Sequence, residues 1–291
     1  MVLVLGVSAG SSGARAVLAH PDRPHHEPVA RCDVRLRVGA ALGEPMISAI
    51  RTLRTVAIER GEMVAATAVT LRTGLEPEVV QSLSAATTRQ HVEVLPETAA
   101  QVRYLRFTGA LPRHGTAVLY DVGSSGLSIA VADGATGEVL AARRSAMVCG
   151  DRIDQLLQEQ LAAQGVWRGL SWCRDVKEQL AHERVVTATD PRTGAATVVT
   201  TGDLVDLSRA DVIQSVSLLH TMIRETGTTP AVLVLLGGGA HLPGLRERLE
   251  SLLRIPVSAA PDPTSVAGRG AVLLAAATAG PARWGPSRND W

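Results

Sequence analysis

Gly10-Ser11-Ser12-Gly13 and Gly123-Ser124-Ser125-Gly126 are two copies of one tetrapeptide, and their surroundings decide how the chain is read. The first copy follows the apolar run 2–7 and precedes Ala14-Arg15-Ala16-Val17-Leu18. The second follows the apolar run 117–122 and precedes Leu127-Ser128-Ile129-Ala130-Val131. Each context predicts a strand, a tight polar turn and a returning strand, because glycine admits positive φ and closely spaced strand signals favour a hairpin. One such turn carries little information. Its recurrence after more than a hundred residues, between similar strands, points to an internal duplication and a two-lobed molecule. A glycine-serine turn also presents backbone N–H groups and hydroxyls with no bulk in front of them, which suits phosphate oxygens.

Working outward, the first lobe continues with a proline-flanked loop carrying His20, His25 and His26, then the alternating stretch 32–38, which predicts a third strand with one wet face. Helical spacing of Ile47, Ile50, Leu53 and Ala57 predicts a helix over 44–60, followed by a buried strand 63–70, a helix 77–89, a strand 91–95 and a helix 97–107. The second lobe repeats this order with an insertion. Strands are expected at 117–122, 127–132 and 138–143, helices at 151–163 and 172–182, and a hairpin 185–189/196–200 across residues 190–194. Ser208 with Asp211 has a capping-box pattern opening a long helix. A strand 231–236, a helix 242–253, a strand 256–259 and a last helix 264–278 follow. The expected fold is α/β, with two mixed five-stranded sheets flanked by helices. Lobe I would cover 1–112, completed by the C-terminal helix 264–279; lobe II would cover 113–263, and 280–291 would be a flexible tail.

Bulk properties narrow the function classes. The chain has 291 residues, 46% hydrophobic and 20% charged, which is globular and too apolar for disorder. With 29 basic and 28 acidic residues the net charge is +1, so no global field recruits nucleic acid or an anionic membrane. Lysine is represented by Lys177 alone, so any chemistry needing a lysine must use it. Cys32, Cys149 and Cys173 have neither zinc spacing nor an even count, which suits reduced thiols in a cytoplasmic protein. The first nineteen residues imitate a signal peptide but lack a basic start and carry glycines and serines inside the apolar run, so they read as a strand. No apolar segment approaches the roughly twenty residues that span a bilayer.

Gly237-Gly238-Gly239 stands between an apolar strand and a helix, in Leu235-Leu236-Gly237-Gly238-Gly239-Ala240-His241. Contiguous glycines let a ligand or a second backbone approach closely, and the register is not that of the dinucleotide fingerprint G-x-G-x-x-G. Gly6-Val7-Ser8-Ala9-Gly10 matches the G-x-S-x-G nucleophile elbow, but that elbow must lead from strand into helix, and a strand-like stretch follows here.

In this order the stretches resemble the actin, Hsp70 and sugar-kinase superfamily, most closely the Hsp70 nucleotide-binding domain. Residues 4–17 look like its first phosphate motif and 118–131 like its second; residues 94–100 look like the connecting helix start, and 149–154 are similar to the helix start after the second motif. Residues 232–245 look like the adenosine motif and 261–271 like the closing helix, so the resemblance spans 2–280. It implies a two-lobed actin-like ATPase (ribonuclease H-like) fold with a central nucleotide cleft. ATP or ADP would lie there, its phosphates on Gly10, Ser11 and Ser12 and on Gly123, Ser124 and Ser125. The adenosine would lie against Gly237, Gly238, Gly239 and His241, with Lys177 near the ribose.

The departures from the family pattern fall on hydrolysis. Ser8 stands where the first motif has an acidic residue, whereas Asp121 keeps the equivalent place in the second; Gly126 and Ser128 replace a threonine and a carboxylate; Pro96 takes the place of a glutamate, with Glu97 one residue on. Asp121 and Glu97 are the catalytic candidates, and Asp121 the group that would organise magnesium through its waters. Losing one preorganised electrostatic group costs roughly a hundred to a thousandfold in rate. The expectation is therefore adenine-nucleotide binding with weak or no hydrolysis, in a chaperone-like sensor or scaffold acting through an unidentified protein partner. Two alternatives remain open: a scaffold resembling the FtsA and PilM branch that holds a partner peptide, and a small-molecule kinase, for which Ser8 and Pro96 leave no obvious base.

Overall fold

The computed structural model describes residues 2–37, 40–41, 43–72, 92–189 and 196–279. The expected helix 77–89, the turn 190–194 and the tail 280–291 lie outside the described residues. The chain divides into two compact units, residues 1–108 with the segment from Ser265 onward, and Gly109–Thr264.

In the first unit, β1 (Val2–Gly10) and β2 (Gly13–Ala19) form the hairpin, β3 (Ala30–Arg35) pairs antiparallel with β2, and α1 (Gly43–Glu59) leads into β4 (Met63–Leu71). β4 lies parallel to β1, and β5 (Val92–Pro96) parallel to β4, giving the order β3-β2-β1-β4-β5. Alternation on β1 then sorts its side chains to two cores. Leu3, Leu5, Val7 and Ala9 face Met46, Ile50 and Leu53 of α1, which recur at helical spacing. Val4 packs instead with Ala271, Val272 and Ala275 of α8 (Val266–Thr278). Helix α2 (Glu97–Phe107) follows β5 directly. Gly6 explains the close seat of α8: a Cβ there would overlap the Gly268 carbonyl and lie 2.5 Å from the Val272 nitrogen.

The second unit repeats the plan. β6 (Thr116–Val122), β7 (Leu127–Asp133) and β8 (Val139–Ser145) form an antiparallel meander. β11 (Pro230–Leu236) is parallel to β6 and β12 (Val257–Ala259) parallel to β11, so the order is β12-β11-β6-β7-β8. Written from the outer meander strand inward, the two sheets have the same connectivity, as the repeated tetrapeptide implied. Val118, Tyr120 and Val122 of β6 pack with Val216, Leu219 and Met222 of α6 (Arg209–Thr226) and Leu249 of α7 (Leu245–Leu253). Within this core the Ser215 hydroxyl donates to the Val212 carbonyl at 2.7 Å, so the Tyr120 hydroxyl is the donor in their 2.6 Å contact.

The insertion builds a separate core. Ile153 and Leu157 of α3 (Gly150–Ala163), Cys173 and Val176 of α4 (Leu170–Gln179), Val199 of β10 (Ala196–Thr200) and Leu204 of α5 (Thr201–Leu207) pack together, with β9 (Val185–Thr189) paired to β10. The capping box sits here and not at Ser208. Thr200 accepts from the Asp203 N–H while the Asp203 carboxylate accepts from the Thr200 N–H at 2.8 Å. Burial alone would raise the Asp203 carboxyl, but the Thr200 donors and Gln160 hold it below its ordinary value. Ser208 has helical φ and ψ, and its hydroxyl donates back to Leu204, so it continues the chain from α5 into α6 without capping. Among the described residues, no helix is long and apolar enough to cross a membrane.

Candidate functional site

In α/β sheets, ligands bind beyond the carboxyl ends of strands where the connections leave in opposite directions. In the second unit that point is β6/β11: β6 runs on to β7 and β8 on one side, and β11 to β12 on the other. Asp121 is the penultimate residue of β6 and is paired in register with Leu236, the last residue of β11. Both strands therefore deliver a glycine segment to one place.

The glycine segment after β11 touches the end of β6. Gly237 has φ 74° and ψ 178°, a region essentially restricted to glycine, and a Cβ on it would overlap the Asp121 carboxylate and lie 2.5 Å from the Val122 carbonyl. A Cβ on Gly239 would overlap the Val122 side chain. These glycines are required because the loop after β11 lies directly on the end of β6. Gly238 has nothing within 4 Å of its Cβ position and is exposed, as is His241, at the end of the short 3-10 turn Gly238–His241. The His241 ring lies 6.3 Å from that of His182.

The Gly123–Gly126 turn closes with the Gly123 N–H donating to the Gly126 carbonyl at 2.9 Å. Neither glycine has positive φ, contrary to the expectation for this turn; the positive φ occurs in the first copy, at Gly13, with 140°. Glycine is needed at 126 for space instead, since a Cβ would meet the Arg144 guanidinium at 2.7 Å and the Ser145 carbonyl at 2.9 Å. The turn is also bolted to α3, whose Gly150 and Asp151 N–H groups donate to the Gly123 and Ser124 carbonyls at 3.0 and 2.7 Å. Those two helix-end donors are thus taken up by the protein.

Lys177 holds the same junction from below. Its ammonium lies 2.6 Å from Asp154 Oδ1 and donates to the Gly150 carbonyl at 2.8 Å. The pair is enclosed, with side-chain exposures of 11% and 2%, and Arg174 bridges Asp154 and Asp151 at 3.4 and 2.8 Å. The lysine assigned by resemblance to the ribose is engaged in an ion pair that fixes the start of α3.

In the first unit, the Gly10–Gly13 turn has Ser11 and Ser12 between the paired glycines, and the Ser12 carbonyl accepts from Leu36 at 2.8 Å. Gly10 has open space at its Cβ position. Ser8 donates to Glu97 Oε1 at 3.1 Å. Two departures from the family pattern therefore meet: the hydroxyl standing for an acid on β1 carries the displaced carboxylate of α2. Gly6–Gly10 runs within β1 and on into β2, so no strand-to-helix elbow forms.

Arg144 is the residue that sequence reasoning did not single out. On β8 it is paired in register with Ser128, which is paired with Asp121, so all three share one face of the sheet. Its Nη1 donates to Ser128 at 3.1 Å and its Nη2 to Ser125 at 3.2 Å. Only the strand register would have revealed it, because no motif contains it. As to magnesium, no group of three or more His, Cys, Asp or Glu among the described residues could hold a metal. The lone Asp121 carboxylate at the end of β6 would suit at most an outer-shell role, in which a hydrated ion is shared with substrate phosphates and not caged by protein.

A family model described as "Family of unknown function (DUF7159)" matches residues 173–283. No curated protein matches the chain. Among solved structures, the crystal structure of ethanolamine utilization protein EutJ from Carboxydothermus hydrogenoformans is similar, with a TM-score of 0.65 over 93% of this chain and 89% of that chain at 18% identity. That likeness concerns the fold. With the two mixed five-stranded sheets of matching connectivity, it places the chain in the actin-like ATPase fold.

Proposed function

We propose that this protein binds ATP and ADP as an Hsp70-like nucleotide sensor or scaffold that hydrolyses slowly or not at all and acts through a protein partner. The observation that carries this reading is the seating of the Gly237–Gly239 segment on the carboxyl end of β6, just ahead of the Gly123–Gly126 turn, where Gly237 lies against Asp121 and Gly239 against Val122. A loop built so closely to a strand end leaves Gly238 and His241 exposed beside it, a surface suited to a flat base and a ribose. The Gly123–Gly126 turn would hold phosphates in the second unit and the Gly10–Gly13 turn would do so in the first. Magnesium, when bound, would neutralise phosphate charge, and Asp121 would orient its waters.

Slow turnover follows from what surrounds the carboxylates. Ser8 supplies a hydroxyl where the resemblance calls for a second acid, so Glu97 in the first unit is held by a neutral donor. Gly126 and Ser128 supply neither the hydroxyl nor the carboxylate of the second family motif. Three free cysteines suit a reducing, cytoplasmic setting.

Calorimetric titration with ATP and with ADP, with and without magnesium, tests the reading, together with a phosphate-release assay. Saturable heat with both nucleotides is expected, with turnover at least a hundredfold below that of an Hsp70 measured alongside. No heat from either nucleotide overturns nucleotide binding, and turnover equal to the Hsp70 that is lost in Asp121→Ala overturns the sensor reading.

A further inference from the structure

Several arginines in this chain face a carboxylate. Arg143 meets Glu225 at 3.3 Å, Arg152 meets Asp211 at 3.6 Å, and Arg174 meets Asp151 and Asp154. Arg144 is different. Among the described residues no carboxylate lies within ion-pair distance of it, and its half-buried guanidinium rests on two neutral hydroxyls, those of Ser125 and Ser128. The turn glycine Gly126 has no side chain at the point where a Cβ would meet that guanidinium. A guanidinium has five N–H donors, and two are used. Its charge is left uncompensated at the edge of the turn.

From this we infer that Arg144 is a phosphate-binding residue, a built-in cation that takes over part of the work of magnesium at the Gly123–Gly126 turn. The inference rests on the nucleotide reading above. The row Asp121, Ser128, Arg144 crosses three neighbouring strands, so the Asp121 and Arg144 backbones stand about 10 Å apart with Ser128 between them, and the guanidinium reaches back to the Ser128 hydroxyl. Ser128 accepts from Arg144 and keeps its own hydrogen to donate to a phosphate. A guanidinium offers a planar fork matched to two phosphate oxygens, whereas an ammonium is a point charge. The ligand class is a nucleoside di- or triphosphate engaged through its phosphates, with the base and sugar read elsewhere.

The test measures affinity for ATP and for adenosine, which lacks phosphates, with wild-type protein and with Arg144→Gln and Arg144→Lys, in magnesium and in excess EDTA. Wild type should bind ATP in EDTA. Arg144→Gln should weaken ATP about 10–100-fold in EDTA, the scale of one or two charge-assisted hydrogen bonds, and leave adenosine within about twofold. Arg144→Lys should recover part of the loss, and magnesium should restore more binding to Arg144→Gln than it adds to wild type. Equal ATP affinity in wild type and Arg144→Gln overturns the inference and leaves the nucleotide reading standing. Equal losses for ATP and adenosine overturn it too, since the arginine would then be a clamp on the turn. Wild type binding neither ligand defeats the nucleotide reading itself.

Discussion

Replacing Lys177 by methionine tests whether the chain's single lysine is a structural group or a ligand group. The ammonium is 2.6 Å from Asp154 Oδ1 and 2.8 Å from the Gly150 carbonyl, and the Asp154 side chain is 2% exposed. Lys177→Met leaves that carboxylate facing Arg174 Nε alone, at 3.4 Å. Stranding one member of a buried pair costs ~3–5 kcal/mol, and the remaining arginine contact places the cost near the lower end, at about 3 kcal/mol. For a unit of this size each kcal/mol lowers the melting temperature by about 2–4 °C, so a fall of about 6–12 °C is expected by circular dichroism. The double variant Lys177→Met/Asp154→Ala should melt above Lys177→Met, because no unpaired carboxylate is then left inside. If the single variant melts with wild type while its ATP affinity drops, Lys177 contacts ligand and the structural account is wrong. If the double variant is less stable than the single one, the two groups are not coupled and the argument from burial fails.

Gly237→Ala should destabilise the protein by more than the ~1–3 kcal/mol of the glycine-only φ and ψ, since its methyl also collides with Asp121. Gly238→Ala, open at the Cβ position and exposed, should change stability by less than about 0.5 kcal/mol, both variants being compared with wild type by urea titration. Burial pushes the Tyr120 hydroxyl up to about 12, against a smaller opposing pull from its hydrogen bond with Ser215. A raised folded-state value means that the neutral phenol favours the native state: this stability is whole below pH 10 and is lost as pH rises from 10 through about 12. Tyr120→Phe should lose that alkaline dependence in denaturation curves and cost about 1 kcal/mol at neutral pH.

The strand–turn–strand repeats were legible because local rules settle them: apolar runs of strand length, glycine-serine turns and helical spacing at Ile50, Leu53 and Ala57 all act within a few residues. The repeat also carried the connectivity of the two sheets, since the same element order twice over has few ways to pair. Local rules failed where two candidates competed. Ser208-x-x-Asp211 and Thr200-x-x-Asp203 both have acceptable capping patterns, and the packing of Leu204 against Ile153 and Val199 decides that the chain turns at Thr200 and runs straight through Ser208. The role of a glycine was likewise hidden: Gly13 answers to its φ and to the Val34 carbonyl its Cβ would overlap, whereas Gly126 answers to a guanidinium that arrives from another strand.

The sequence alone determined the classes of residue at each strand end, including Asp121, Glu97 and the three glycine segments, because backbone preference and hydrophobic period are properties of neighbouring residues. Only the tertiary structure decided their partners. Lys177 is committed to Asp154, Ser8 to Glu97, and Arg144 to Ser125 of the turn and Ser128 of β7, with no carboxylate among the described residues at ion-pair distance. The physical reason is that electrostatic pairing depends on distances of a few ångströms between groups far apart in the chain. Those distances are set by strand register and helix seating, which many residues fix jointly and no single motif encodes.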